Sequence, residues 1–186
     1  MTSDDPAWSL TDDALVLILH AGDVHDSLRA PDTFSTLRPG QLGGATERQA
    51  WPRETAVLRL IATVEAFANA ASELSFRLKG LPVPKEPFTW PARKKHYTLY
   101  HGFSLESCDG WRPVEAGIDL RNCLAHGLGN LTDLLLKDES LGARMKELDV
   151  VVSGNRMHFA RSTVPTLVIA CRKFVRSLEQ QLVAQL

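Results

Sequence analysis

Arg121 and His126 are separated by four residues in the string Arg121-Asn122-Cys123-Leu124-Ala125-His126, and their side chains suffice for one chemistry. A histidine moves a proton near neutral pH, and an arginine holds a phosphate in its planar fork. On an ideal helix the two positions lie roughly 140° apart, whereas Asn122 and His126 lie about 40° apart and share a face. Arg121 therefore falls near the apolar stripe, its stem packed and its guanidinium reaching round a helix end or across an interface. A purely structural reading is also open, with Arg121 paired to Glu65 or Asp119 and His126 capping the carbonyls before Gly127.

The elements that must position this pair are helical. Leu10, Ala14, Leu17, Ala21, Val24 and Leu28 recur at spacings of three and four, which predicts a helix over 10–29 capped by Thr11 or Ser9. Residues 30–46, punctuated from Ala30 to Gly44 by Pro31, Pro39, Gly40 and Gly43, read as a mobile loop. Val57, Leu60, Ile61, Val64, Phe67, Ala68, Ala71, Leu74 and Leu78 then form the stripe of a long core helix ending near Gly80. Pro82, Pro84, Pro87 and Pro91 forbid regular structure up to a short helix over Ala92–His101. Asp109–Gly127 is the predicted helix that carries Arg121 and His126, with Val114, Ile118, Ala125 and Leu128 on its apolar side.

Gly127, Gly129 and Asn130 interrupt that helix, and shorter helical pieces are expected through Leu134–Leu136 or Leu141–Leu148. Val150-Val151-Val152 and Met157-His158-Phe159 flank Ser153-Gly154-Asn155-Arg156, a pattern for a hairpin with glycine first in its two-residue turn. The chain closes with Val164, Leu167, Val168, Cys171, Phe174, Val175, Leu178 and Leu182 on one helical face, Pro165 being tolerated in the first turn. The predicted fold class is all-α: a bundle of four to five main helices with a small β-hairpin before the last.

Composition bounds the function classes. A chain of 186 residues, 44% hydrophobic and 23% charged, fits one soluble globular domain spanning 1–186. The longest aliphatic run, Ala14–Leu19, is too short to span a bilayer, and the acidic start Met1–Asp5 lacks the basic region of a secretory signal, so a cytoplasmic location and no membrane partner are expected. Cys108, Cys123 and Cys171 make neither a disulfide framework nor a Cys-x-x-Cys pair and read as reduced thiols. A net charge of -1 argues against coating nucleic acid by bulk electrostatics, which confines any such contact to a local site.

The string Ile118-Asp119-Leu120-Arg121-Asn122-Cys123-Leu124-Ala125-His126-Gly127-Leu128-Gly129 resembles the signature of the HEPN family, the "higher eukaryotes and prokaryotes nucleotide-binding" domains. The resemblance is sharp over about ten residues and loose over 47–186, where it takes in the long upstream helix with Glu65 and Asn69 and the terminal helix. The segment after the motif, with its hairpin and closing helix, is similar to HEPN domains of bacterial and archaeal defence and toxin systems. The resemblance implies a metal-independent endoribonuclease, in which a ribose 2'-hydroxyl attacks the adjacent phosphodiester and leaves a cyclic phosphate end. In that reaction His126 serves as general base or acid, Arg121 stabilises charge on the phosphoryl oxygens, and Asn122 orients the histidine or a substrate oxygen. Internal attack uses both a base and an acid, yet the motif offers one histidine per chain. A two-fold pair of chains with the motif at the axis supplies two, so a homodimer with a composite site is expected. The resemblance also leaves room for an antitoxin or defence-system partner protein, and for a noncatalytic HEPN module that binds a nucleotide or a protein. A plain helical dimerisation protein is the third reading.

Other residues join this list at lower rank. Glu65, at the edge of the core stripe, could steer Arg121 or His126 or be an ordinary boundary carboxylate, and Asn69 lies one turn beyond it. Arg93-Lys94-Lys95-His96-Tyr97 mixes cations with aromatics as a single-stranded RNA groove does, which makes Arg93, Lys94, Lys95 and Tyr97 candidate substrate contacts; a solvated helix face is the alternative. His20 with His25 and His96 with His101 share a five-residue spacing that turns the second imidazole away from the first, and no nearby Cys, Asp and Glu set completes a ligand pattern. No metal and no cofactor are therefore expected. His158 reads as an alternating strand residue, and Trp51, Trp90 and Trp111 as packing anchors.

Overall fold

A computed structural model describes residues 6–27, 42–127, 131 and 133–186. In order the elements are α1 (Pro6–Ser27), α2 (Leu42–Leu78), α3 (Trp90–His101), a 3-10 turn (Leu105–Ser107), α4 (Trp111–Gly127), α5 (Asp133–Leu136), α6 (Leu141–Lys146), strands β1 (Val150–Ser153) and β2 (Arg156–Phe159), and α7 (Thr163–Val183). The chain is mostly helical with one antiparallel hairpin before the last helix, as its periodicities predict. None of the helices among the described residues is long and apolar enough to cross a membrane.

Helices α1, α2, α4 and α7 share one apolar cluster, built from Ile18, the Val57–Val64 stripe, Val114, Leu120 and Cys123, and Leu167, Phe174 and Leu178. At the centre Gly117 lets α4 approach its neighbours closely: a Cβ there would stand 2.7 Å from Ile61 Cδ1 and 2.8 Å from Leu167 Cδ1. The hairpin is tied to the bundle at its far end, where Arg53 Nη1 donates to the Phe159 carbonyl at 3.3 Å. Ser153 pairs with Arg156 around a two-residue turn, and Gly154 takes the positive φ of 58° that this turn requires.

Several expectations shift. Helix α1 begins at Pro6, so neither Thr11 nor Ser9 caps it. Thr11 instead donates its hydroxyl to Glu179 Oε1 at 2.7 Å, joining α1 to α7. Its buried face runs through Ala14, Ile18 and Ala21, while Leu17 is 57% exposed, because α2 and α7 cover a strip one residue away from the regular spacing. The predicted loop lies largely outside the described residues, and its last part, from Leu42, is already helix. Ala125 is exposed rather than on the apolar side of α4, and Leu128 lies outside the described residues. Both short helical pieces after α4 form, as α5 and α6.

Candidate functional site

Three parts of the chain converge on a cleft of about 460 Å³: the middle of α2, the start of α3 with the residues before it, and the length of α4. Glu115, Ile118, Asp119, Asn122 and His126 line it from one face of α4, the series 115, 119, 122, 126 running at spacings of four, three and four with Ile118 beside it. Arg121 reaches the same cleft from beside that face. Trp111 begins the same helix, and Glu65, Lys94, Trp90 and Phe88 line the cleft from the other elements. Helix α3 starts where it does because Thr89 accepts a hydrogen bond from Ala92 N at 3.3 Å and Pro91 occupies the first turn. That cap fixes Trp90 and Lys94 in the wall.

The cleft holds three carboxylates, and each is engaged by a cation other than Arg121. Glu65, with 25% of its side chain exposed, accepts from Arg93 Nη2 at 3.0 Å. Glu115 lies 3.3 Å from Lys94 Nζ, which also meets Glu106 at 2.5 Å. Asp119 accepts from Arg144 Nε at 2.8 Å, and Arg144 is held in turn by Asp138 at 2.6 Å. Neither ion pair of the structural reading, Arg121 with Glu65 or Arg121 with Asp119, is formed. Arg121 Nη1 donates only to the neutral Asn122 Oδ1, at 3.1 Å, so among the described residues its charge meets no carboxylate.

The titratable groups around it are perturbed in ways the geometry explains. Burial raises the Asp119 carboxyl above its ordinary range, and Arg144 opposes that shift. Burial would lower Lys94, but the hydrogen bonds and charges of Glu106 and Glu115 outweigh it and raise the ammonium. His126 is exposed on the last turn of α4. It forms no hydrogen bond within the described residues, which leaves both ring nitrogens open toward a ligand.

Of the residues singled out from the sequence, Arg121, Asn122, His126, Glu65 and Lys94 meet in the cleft. Asn122 engages Arg121 rather than the histidine. Asn69 lies outside the cleft and acts on Arg93, accepting from its Nε at 2.7 Å while donating to Glu86. The proposed cationic groove over 93–97 is corrected in part. Arg93 is 1% exposed and Tyr97 0%, and the Tyr97 hydroxyl donates to the Ala68 carbonyl at 2.6 Å. Both face α2, because α3 packs its cation and aromatics inward around polar partners; Lys95 is exposed, and Lys94 lines the cleft but is held by Glu106 and Glu115.

His96 and His101 do not diverge as their five-residue spacing predicts. Both are buried, and their Nε2 atoms meet Ser72 Oγ at 2.9 and 2.8 Å. The partner on α2 stands between the two directions, so a rotation of roughly 140° still leaves both rings within reach. Trp111 is buried against Phe174, as an anchor should be, whereas Trp90 is half-buried in the cleft wall with the Arg93 guanidinium 4.6 Å from its ring centre. The Trp51 side chain lies outside the described residues, and His158 is an exposed strand residue paired with Val151. Phe88, Glu115 and Arg144 escaped the sequence reading. The first carries a signal, an aromatic among prolines with no periodic stripe to join; the other two carry none.

No protein-family model, no curated protein and no solved structure matches the chain.

Proposed function

We propose that the cleft is the active site of a metal-independent endoribonuclease of the HEPN type, working in defence, stress or toxin and antitoxin biology. The observation that carries this reading is the arrangement of charge. Arg121, Asn122 and His126 line one cleft in which every carboxylate is satisfied by a different cation, so Arg121 is left to an anion from outside. A phosphodiester placed against Arg121 would bring its neighbouring ribose to His126, whose imidazole takes the 2'-hydroxyl proton as the oxygen attacks phosphorus. The 5'-oxygen then leaves, and charge on the phosphoryl oxygens is held by the guanidinium. Asn122 keeps Arg121 aimed. The leaving oxygen needs a proton, which the histidine of a second chain would supply in a homodimer.

The test is incubation of the purified protein with total RNA in EDTA, beside His126→Ala and Arg121→Ala. Cleavage by the wild type, lost in both variants while their circular dichroism is unchanged, is the expected result. Wild-type rates in both variants would refute the site. Tight oligonucleotide binding without turnover would identify a noncatalytic module instead. Chromatography with light scattering tests the pairing: a stable monomer that still cleaves RNA removes the need for a second chain.

A further inference from the structure

We infer that Phe88, an exposed aromatic ring on the wall of the cleft that holds Arg121, is a stacking platform for one unpaired nucleobase of a single-stranded RNA. This rests on the ribonuclease reading and adds to it the form of the substrate. Phe88 is 79% exposed, in a chain whose other cleft aromatics, Trp90 and Trp111, are at least half covered. Its exposure is built in. The carbonyl of Pro87 accepts from Arg93 Nη2 at 3.1 Å, and Thr89 is committed as the cap of α3. With the backbone fixed on both sides and Pro84 and Pro87 stiffening the approach, the ring is held away from the core. Lys85 Nζ stands 5.8 Å from its centre and occupies one face with positive charge.

A ring with one free face and a cation over the other suits a base joined to a phosphate. Single-stranded nucleic acid is held in this way, by stacking on aromatics beside cations that follow the backbone. Arg121, which meets no carboxylate among the described residues, lies in the same cleft and would take the phosphate, and the volume of about 460 Å³ admits a nucleotide but leaves no room for a duplex. A base inside a helix has both faces already stacked, so the platform selects loops, ends and single strands.

The experiment measures fluorescence polarisation of a labelled, short 2'-O-methyl RNA, which lacks the attacking hydroxyl and cannot be cut. Wild type, Phe88→Ala, Phe88→Leu and Phe88→Tyr are compared, each with its fold checked by circular dichroism. Loss of one stacked base should weaken binding roughly tenfold in the Ala and Leu variants, with Tyr close to wild type. The same strand with abasic positions should bind the Ala variant and wild type alike. Affinity unchanged in Phe88→Ala, or equal affinity of the wild type for single strand and duplex, overturns the inference. The two readings fail separately: a protein that never cleaves RNA, yet binds the single strand through Phe88, keeps the platform and loses the nuclease; one that cleaves with Phe88→Ala at an unchanged KM does the reverse.

Discussion

Replacing Arg93 by alanine should be among the most damaging single changes outside the apolar core, although sequence alone would place it on the surface. Its guanidinium donates to Glu65, Asn69 and the Pro87 carbonyl at 3.0, 2.7 and 3.1 Å and lies over the Trp90 ring. Three bonds from a charged donor, each about 1.5 kcal/mol, amount to about 4–5 kcal/mol. Against this, truncation relieves the cost of burying the guanidinium, whose Nη1 has no partner, and the partly exposed Glu65 recovers some water. A net loss of about 3 kcal/mol remains, at the lower end for a broken buried pair. Urea unfolding followed by tryptophan fluorescence measures it. With a slope of about 2 kcal/mol per molar, the midpoint falls by about 1.5 M. Arg93→Lys keeps the charge but loses the fork and should recover less than half. In a double-mutant cycle with Glu65→Gln the pair should couple by about 1–2 kcal/mol. A midpoint shift in Arg93→Ala smaller than about 0.5 M would refute the assignment of Arg93 as the tie between α2, α3 and the proline segment.

Acid should weaken the fold through His96 and His101: burial lowers both, His101 to about 4, helped there by the charges of His96 and Lys79. The unfolded chain takes up these protons below its ordinary histidine pKa of about 6.5 while the fold does not, so stability present at neutral pH is lost as pH falls from there toward 4, by roughly 1–2 kcal/mol for His101 after solvent screening. Urea midpoints at stepped pH test this, and a flat profile over that window would exclude it. Gly117→Ala drives a methyl into Ile61 and Leu167 and should cost about 1–3 kcal/mol by overpacking; calorimetry showing an unchanged Tm would mean that α4 has room to move. The three cysteines are buried thiols outside any disulfide, and burial pushes Cys108 up to about 11 and Cys171 higher still. Thiol reagents at neutral pH should therefore label them only at the rate of unfolding, and fast labelling of the native protein would contradict their burial.

Much of this architecture was legible because it is local. The stripes of α2 and α7, the prolines that delay α3, and the Ser153–Arg156 turn each depend on residues within a few positions of one another. Where two helices had to be known together, the reading faltered. Leu17 and Ile18 are equally apolar, and only the position of α2 and α7 selects Ile18 for burial. The candidate site divides likewise. That Asn122 and His126 share a face is a property of the helix itself, whereas the engagement of Glu65, Glu115 and Asp119 by cations other than Arg121 depends on Arg93, Lys94 and Arg144, which arrive from α3 and α6.

By itself, then, the sequence determined which segments are helical, where the hairpin turns, and which residues along one helix could act on a phosphate, since each follows from backbone preference and the 3.6-residue repeat. Tertiary structure alone decided which charges are spent and which are free. Arg93, Lys94 and Lys95 are neighbours of like type, yet one is buried, one is bound to two glutamates, and one faces water. The difference is made by what α2, α4 and the 3-10 turn bring against them, and the field at a charged group is set by neighbours in space, which the order of residues along a chain does not specify.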